Sequence, residues 1–140
     1  MKVRDAMNRH TVSATPETTI RQVAGLMQEN NVGSVMVVEG GKLKGIITDR
    51  DIVTRCIADG KNAADCRAAD VMSGGGFMST LTHADPDMDV IEAARLMGQH
   101  HVRRLPVMEQ DRVIGVLSIA DLAKDLRPYI DGVLEELSEQ

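Results

Sequence analysis

The sequence predicts a mixed α/β fold of the α+β kind: two similar strand–helix–strand–strand–helix halves, packed sheet to sheet about a pseudo-twofold axis. Three observations carry that expectation. First, the chain repeats itself. Displaced by seventy residues, Ala14, Leu26-Met27, Val32, Val37, Glu39, Gly45 and Asp51 fall on Ala84, Leu96-Met97, Val102, Val107, Glu109, Gly115 and Asp121. Second, each copy passes from apolar residues at helical spacing to short apolar runs on either side of a tight turn. Third, a half of about 60 residues buries too little apolar surface to be comfortable alone, whereas two copies can cover each other's sheets.

The elements follow in order. Asp5-Ala6-Met7 returns as Asp70-Val71-Met72, but at an offset of 65, so the second copy carries five extra residues within 73–79. A proline turn, Thr15-Pro16 or Asp85-Pro86, leads to a helix start of capping-box type, Thr19 with Gln22 and Asp89 with Glu92. The helix stripe is Ile20, Val23, Ala24 and Met27, mirrored by Val90, Ala93, Ala94 and Met97. Apolar runs at 35–38 and 43–47, and again at 105–108 and 113–117, flank turns at 39–42 and 109–112 and make a hairpin in each half. Second helices are expected from about Asp49 and from about Ile119. Beyond residue 125, Pro128 falls near a helix start, and Ile130, Val133, Leu134 and Leu137 form one apolar face that needs a partner. Gly132 weakens that helix by about 1 kcal/mol relative to alanine, so packing must order it. The expected division is 1–66, 67–126 and a terminal amphipathic helix at 127–140, all in one module.

Composition narrows the function. With 43% apolar and 26% charged residues the chain reads as soluble. It lacks the run of about 20 apolar residues that spans a bilayer and the apolar core of a signal peptide. A cytoplasmic location with no membrane partner is the expectation. The net charge of −5 opposes wholesale nucleic-acid binding, though a local basic pocket for a small anion remains open. Phe77 and Tyr129 are the only aromatics, so a pocket must be lined by Val, Ile, Leu and Met. Cys56 and Cys66 lack CxxC spacing and read as reduced thiols, with a redox-sensing disulfide as the sharper alternative. No metal site is expected. His100 and His101 are adjacent and point to different helix faces, and His10 and His83 add no ligand spacing. The triple glycine at 74–76 has neither the preceding strand nor the following GK[ST] of a phosphate loop. No nucleophile-plus-base pattern is present, so the chain does not read as an enzyme.

The duplicated endings GIITDRD (45–51) and GVLSIAD (115–121), the repeated DxM, the Thr-Pro and Asp-Pro turns and HVRRLPV (101–107) resemble a tandem pair of cystathionine-β-synthase-type (CBS) domains, a Bateman module. The resemblance runs from about Asp5 to Asp125. It implies βαββα repeats paired through their sheets, with two clefts that take adenine nucleotides or related adenosyl ligands. On that resemblance Asp51 and Asp121 hold the ribose hydroxyls, and Thr48 and Ser118 face ribose or phosphate. Thr11-Val12 and Thr80-Leu81, in the first short strands, flank the base, and Arg103 and Arg104 reach phosphate. The chemistry agrees: a carboxylate accepts two vicinal hydroxyls, a helix start offers N–H groups to an anion, and guanidinium matches phosphate oxygens.

Simpler readings exist for each residue. Asp51 and Asp121 suit a helix first turn, Thr48 and Ser118 suit N-caps, and the arginines suit a solvated surface. The copies also differ, since Gly33-Ser34 stands where the second has Arg103-Arg104. Unequal clefts with one preferred site are therefore expected. The resemblance implies a regulatory homodimer with no obligatory cofactor, an adenosyl effector (AMP, ADP, ATP, S-adenosylmethionine or NAD) and a separate effector protein. The alternative is a stress-response or interaction dimer with empty clefts, redox-responsive through its cysteines.

Overall fold

Short capped helices and a pair of hairpins set the frame. The computed structural model describes residues 1–74 and 82–138. The first half comprises α1 (Val3–Ala6), β1 (Ser13–Ala14), α2 (Ile20–Asn30), β2 (Ser34–Glu39), β3 (Lys42–Thr48) and α3 (Asp49–Ile52), which runs on into a π-helical turn at Val53–Ile57. The second comprises α4 (Ala68–Val71), α5 (Val90–His100), β4 (Arg104–Glu109), β5 (Arg112–Ser118) and α6 (Ile119–Ser138). The α+β class and the pairing of two CBS-like halves are as the sequence predicts. Strand β1 pairs parallel with β2, Ala14 opposite Val37. Its counterpart is reduced to a bridge between Ala84 and Val107, seventy residues on.

Local chemistry explains most boundaries. At the start of α2, Thr19 accepts from the Gln22 N–H while Gln22 returns a bond to the Thr19 N–H, the reciprocal box expected there. At α5 the cap is simpler: the Asp89 carboxylate accepts from the Ile91 N–H, and Glu92 does not reciprocate. Both hairpins turn on two residues at positive φ, Gly40-Gly41 in one and Gln110-Asp111 in the other. That turn matches the twist of antiparallel strands. The first strand lies two residues later than the Thr11-Val12 expected, because the Val12 carbonyl already accepts the Met36 N–H and the ladder continues from there.

Packing crosses the chain order. One core gathers Ile20, Val23, Val35, Val37 and Ile47 of the first half with Ala68 and Val71 of α4. The other gathers Val90, Leu105, Val107, Leu117 and Leu122 with Val3, Ala6 and Met7 around α1. Each DxM segment therefore fills the opposite half. The hydrogen bonds repeat this exchange, with Asn8 bridging Val116 of β5 and Ser73 bridging Ile46 of β3. These pairs are related by the offsets of 70 and 65 seen in the sequence, which is the pseudo-twofold axis in residue numbers. The division at 66/67 thus describes chain order and not packing.

The exchange also accounts for motif residues. Asp5 and Asp70 accept from the N–H groups of Lys2 and Arg67, three residues back, and so close the starts of α1 and α4. Met7 and Met72 lie against glycines. A β-carbon on Gly115 would stand 2.8 Å from the Met7 Sδ and 2.9 Å from the Asn8 carbonyl oxygen. On Gly45 it would stand 2.7 Å from both the Met72 Sδ and the Ser73 oxygen. The glycine that opens GIITDRD and GVLSIAD is therefore a close-approach glycine.

The terminal helix departs from expectation. Pro128 does not begin a new element; it lies inside one helix spanning Ile119–Ser138. Buried Leu122 and the packing of Leu126 on the second core anchor its first half. Val133, Leu134 and Leu137 of its outer half are exposed.

Candidate functional site

A cleft of about 270 Å³ opens between the halves. Thr11, Arg104, Ser118 and Asp121 line it together, with Asn8, His10 and Asn31 beside them. Met36, Val32 and Val116 supply an apolar wall. The segment leading to Thr11 is held from both sides. Asn8 and Val116 exchange two backbone hydrogen bonds of 2.9 Å, and the Asn8 side chain accepts the His10 N–H at 2.9 Å. Thr11 therefore enters the cleft from the first half while Ser118 and Asp121 enter from the second.

The other expected residues lie elsewhere. Val12 packs on the first core, and Arg103 is exposed outside the cleft lining. Thr80 and Leu81 lie outside the described residues. Asn8, Asn31, Met36 and Ala120 line the cleft without having been singled out from sequence. For Asn31 the signal was available in principle. It adopts φ 52° as the left-handed C-cap of α2, a conformation asparagine tolerates better than most residues.

Equivalent residues behave differently in the two halves. Asp51 is committed locally, since its Oδ2 accepts the Thr48 N–H at 3.0 Å while Thr48 Oγ1 accepts the Asp51 N–H at 3.1 Å. At the start of α6 only half of that box exists. Ser118 Oγ accepts the Asp121 N–H at 3.0 Å, and the Asp121 carboxylate accepts no hydrogen bond among the described residues. The next backbone donor differs too. The Arg50 N–H is satisfied by the Asp49 Oδ1 at 2.8 Å. Its counterpart, Ala120, lines the cleft, follows Ile119 and so has no such carboxylate; its N–H has no partner among the described residues. The α6 start keeps a carboxylate and a donor for something else, whereas the α3 start is closed upon itself.

Arg104 and Gly33 explain the mismatch between the copies. The guanidinium of Arg104 crosses to the first half and lies over Gly33, where a β-carbon would stand 2.6 Å from its Nη2. Its Nη1 is 3.5 Å from Asp49 Oδ1. Glycine in the first copy thus makes room for the arginine of the second, and both border the same cleft.

The thiols are core residues. Cys56 and Cys66 are free and buried, and burial, followed by the neighbouring Cys56 thiol, pushes the Cys66 thiol above its ordinary value. Thiol is thus favoured over the reactive thiolate. Among the described residues no group of three or more His, Cys, Asp or Glu is placed to hold a metal, and no helix is long and apolar enough to cross a membrane.

Two halves of this topology joined by a cleft at their seam define a paired-repeat module. The family model described as the CBS domain matches residues 3–57 and 69–127, and the chain belongs to that family as a tandem pair of CBS domains. It is 39% identical over 121 residues to the CBS domain-containing protein YhcV of Bacillus subtilis, covering 86% of this chain and 82% of that one. Hypoxic response protein 1 of Mycobacterium tuberculosis is 28% identical over 124 residues, covering 88% and 83%. The crystal structure of that response protein, described with two coordinated zinc ions, superposes with a TM-score of 0.74 at 27% identity over 89% of this chain and 98% of the other. The CBS domain pair of protein MJ0100, solved with 5′-methylthioadenosine and S-adenosyl-L-methionine, superposes with a TM-score of 0.80 at 23% identity over 92% and 98%, which speaks to the fold alone.

Proposed function

We propose that the chain is a regulatory module that binds an adenine nucleotide in the cleft bordered by Thr11, Arg104, Ser118 and Asp121. The observation that carries the reading is the free chemistry at the start of α6. Asp121 keeps both carboxylate oxygens for the two ribose hydroxyls, which can only donate to it. Ser118 Oγ accepts from Asp121 and still has its own proton to give. Ala120, at the positive end of a twenty-residue helix, lines the cleft together with Arg104, so its N–H and the guanidinium are at hand for an anion. A phosphate satisfies all three. The base would lie along Met36, Val32 and Val116.

That charge arrangement favours a phosphate-bearing ligand over S-adenosylmethionine, whose sulfonium adds positive charge beside Arg104. The Asp51 side is the weaker site, because its carboxylate and helix start are already satisfied. Occupancy biases the relative orientation of the halves by differential affinity, and no catalytic step is needed. A second copy and a separate effector protein would read that orientation. Burial of both thiols works against the alternative of a redox-responsive dimer with empty clefts.

The test is a thermal-shift panel of AMP, ADP, ATP, NAD and S-adenosylmethionine on the wild type, Asp51→Ala and Asp121→Ala. A ligand at about 100 times its Kd adds about 2.7 kcal/mol to stability. The shift should appear with a phosphate-bearing compound, survive in Asp51→Ala and vanish in Asp121→Ala. No shift with any compound, or loss in Asp51→Ala alone, would overturn the assignment.

A further inference from the structure

Asp49 sits where an anion would sit. Its Oδ1 takes the first open N–H of α3, that of Arg50, at 2.8 Å, and lies 3.5 Å from the Arg104 guanidinium. A helix-start donor and an arginine are the two groups assigned above to the nucleotide phosphate on the other side of the seam. The sequence position equivalent to Asp49 is Ile119, so the α6 start has no such carboxylate of its own. Arg104 takes part in both arrangements: it borders the cleft, and its guanidinium reaches across Gly33 toward Asp49.

We propose that Asp49 is a tethered competitor for Arg104: an internal counter-ion that a ligand phosphate must displace, so that the cleft discriminates by ligand charge. The inference rests on the nucleotide reading and adds to it the residue that sets phosphate dependence. Two consequences follow. A neutral nucleoside, which does not call on Arg104, binds without regard to Asp49. A phosphate-bearing ligand pulls the guanidinium off the start of α3 and so carries occupancy of one half's site to the helix start of the other.

The pair is well suited to such exchange. The Asp49 side chain is 65% exposed and that of Arg104 is 29% exposed, and contacts of this kind are individually weak. Removing the competitor should tighten phosphate binding by about two- to fivefold, the range that exposed ion pairs supply. Asp49→Asn is the suitable change, since an amide oxygen can still accept the Arg50 N–H.

The experiment is isothermal titration of adenosine and AMP into the wild type, Asp49→Asn, Arg104→Gln and the double variant. Asp49→Asn should bind AMP about two- to fivefold more tightly than the wild type and adenosine equally. Arg104→Gln should lose AMP affinity and keep adenosine affinity. In the Arg104→Gln background Asp49→Asn should have no effect, which separates competition for the guanidinium from a general change of charge. AMP bound equally by wild type and Asp49→Asn, or a gain that persists without Arg104, would overturn the competitor while leaving the nucleotide reading intact. Failure of every variant to bind either compound would overturn both.

Discussion

Replacing Gly45 or Gly115 by alanine should destabilise the protein through the exchanged segments, and the size of the effect can be worked out from the contacts. At Gly45 the new β-carbon would meet the Met72 sulfur and the Ser73 carbonyl oxygen at 2.7 Å. The methionine can swing aside; the carbonyl cannot. Ser73 and Ile46 exchange two backbone hydrogen bonds, 2.9 and 3.0 Å long, which hold the 72–73 segment to β3. Relief must stretch that pair, each bond worth about 0.5–1.5 kcal/mol net. The expected loss is about 1–3 kcal/mol, the range found for overpacked cores. Gly115→Ala should cost a similar amount by stretching the matching pair between Asn8 and Val116. Gly25 and Gly98 are the internal controls, since both lie within helices with nothing within 4 Å of a built β-carbon. Alanine there should stabilise by about 0.5–1 kcal/mol. Urea unfolding followed by far-UV circular dichroism is the assay, as there is no tryptophan to follow. Gly45→Ala as stable as the wild type, with Gly98→Ala destabilised, would refute the close-approach account.

Other consequences are open to measurement. Thr48→Ala should cost about 1 kcal/mol, because it removes the hydroxyl that accepts the Asp51 N–H and leaves that donor without its cap, and Ser118→Ala should cost less stability but more nucleotide affinity; equal effects on both properties would count against the division of labour. The Arg4 guanidinium, bonded to Asp87 at 2.9 and 3.1 Å, holds that carboxyl below its ordinary value near 3.8. A depressed carboxyl stabilises the fold above the unfolded value and loses that contribution as pH falls through the folded one. The stability gap between wild type and Arg4→Gln should therefore be present at neutral pH and close below about pH 4 in acid titrations. The Cys66 thiol, held above its ordinary 9.0, works in the opposite window: wild type should lose stability relative to Cys66→Ala as pH rises above that value, when the unfolded chain ionises first. Aromatic-disulfide labelling of the native thiols at pH 8 should be slow and should accelerate in denaturant; labelling at the rate of an exposed cysteine would contradict their burial.

Much of the fold was legible because its signals are local or periodic. The duplicated stripes and the capping box at Thr19 each report on a few consecutive residues. The exchange between halves left only a trace in the sequence, the change of offset from 70 to 65 that sets the leading segments apart from the rest of each repeat. Nothing local says where they pack. The site was legible as residue types but not as availability. Asp51 and Asp121 stand at matching positions after a hydroxyl, yet one carboxylate is turned onto its own helix start and the other is not. The pairing of Gly33 with Arg104 was read as an inequality between two clefts, because residues 71 apart in sequence meet only across the seam. Pro128 was read as a start signal, a role that holds when a helix begins there and not when an anchored helix arrives from upstream.

The crossed packing of α1 also changes what a minimal piece of this protein is. A fragment cut at 66/67 would carry a peptide it does not need and lack the one that fills its core. Residues 82–138 are the mirror case: Val3, Ala6 and Met7 complete their interior from a stretch only eight residues long, tied down by Asn8 on Val116 and by Arg4 on Asp87. Residues 1–8 stand to that half as a bound peptide stands to its receptor, with an anchor at each end and apolar side chains between. Fragment complementation in trans should then be possible, with a synthetic copy of those residues restoring cooperative unfolding to a chain that begins after them.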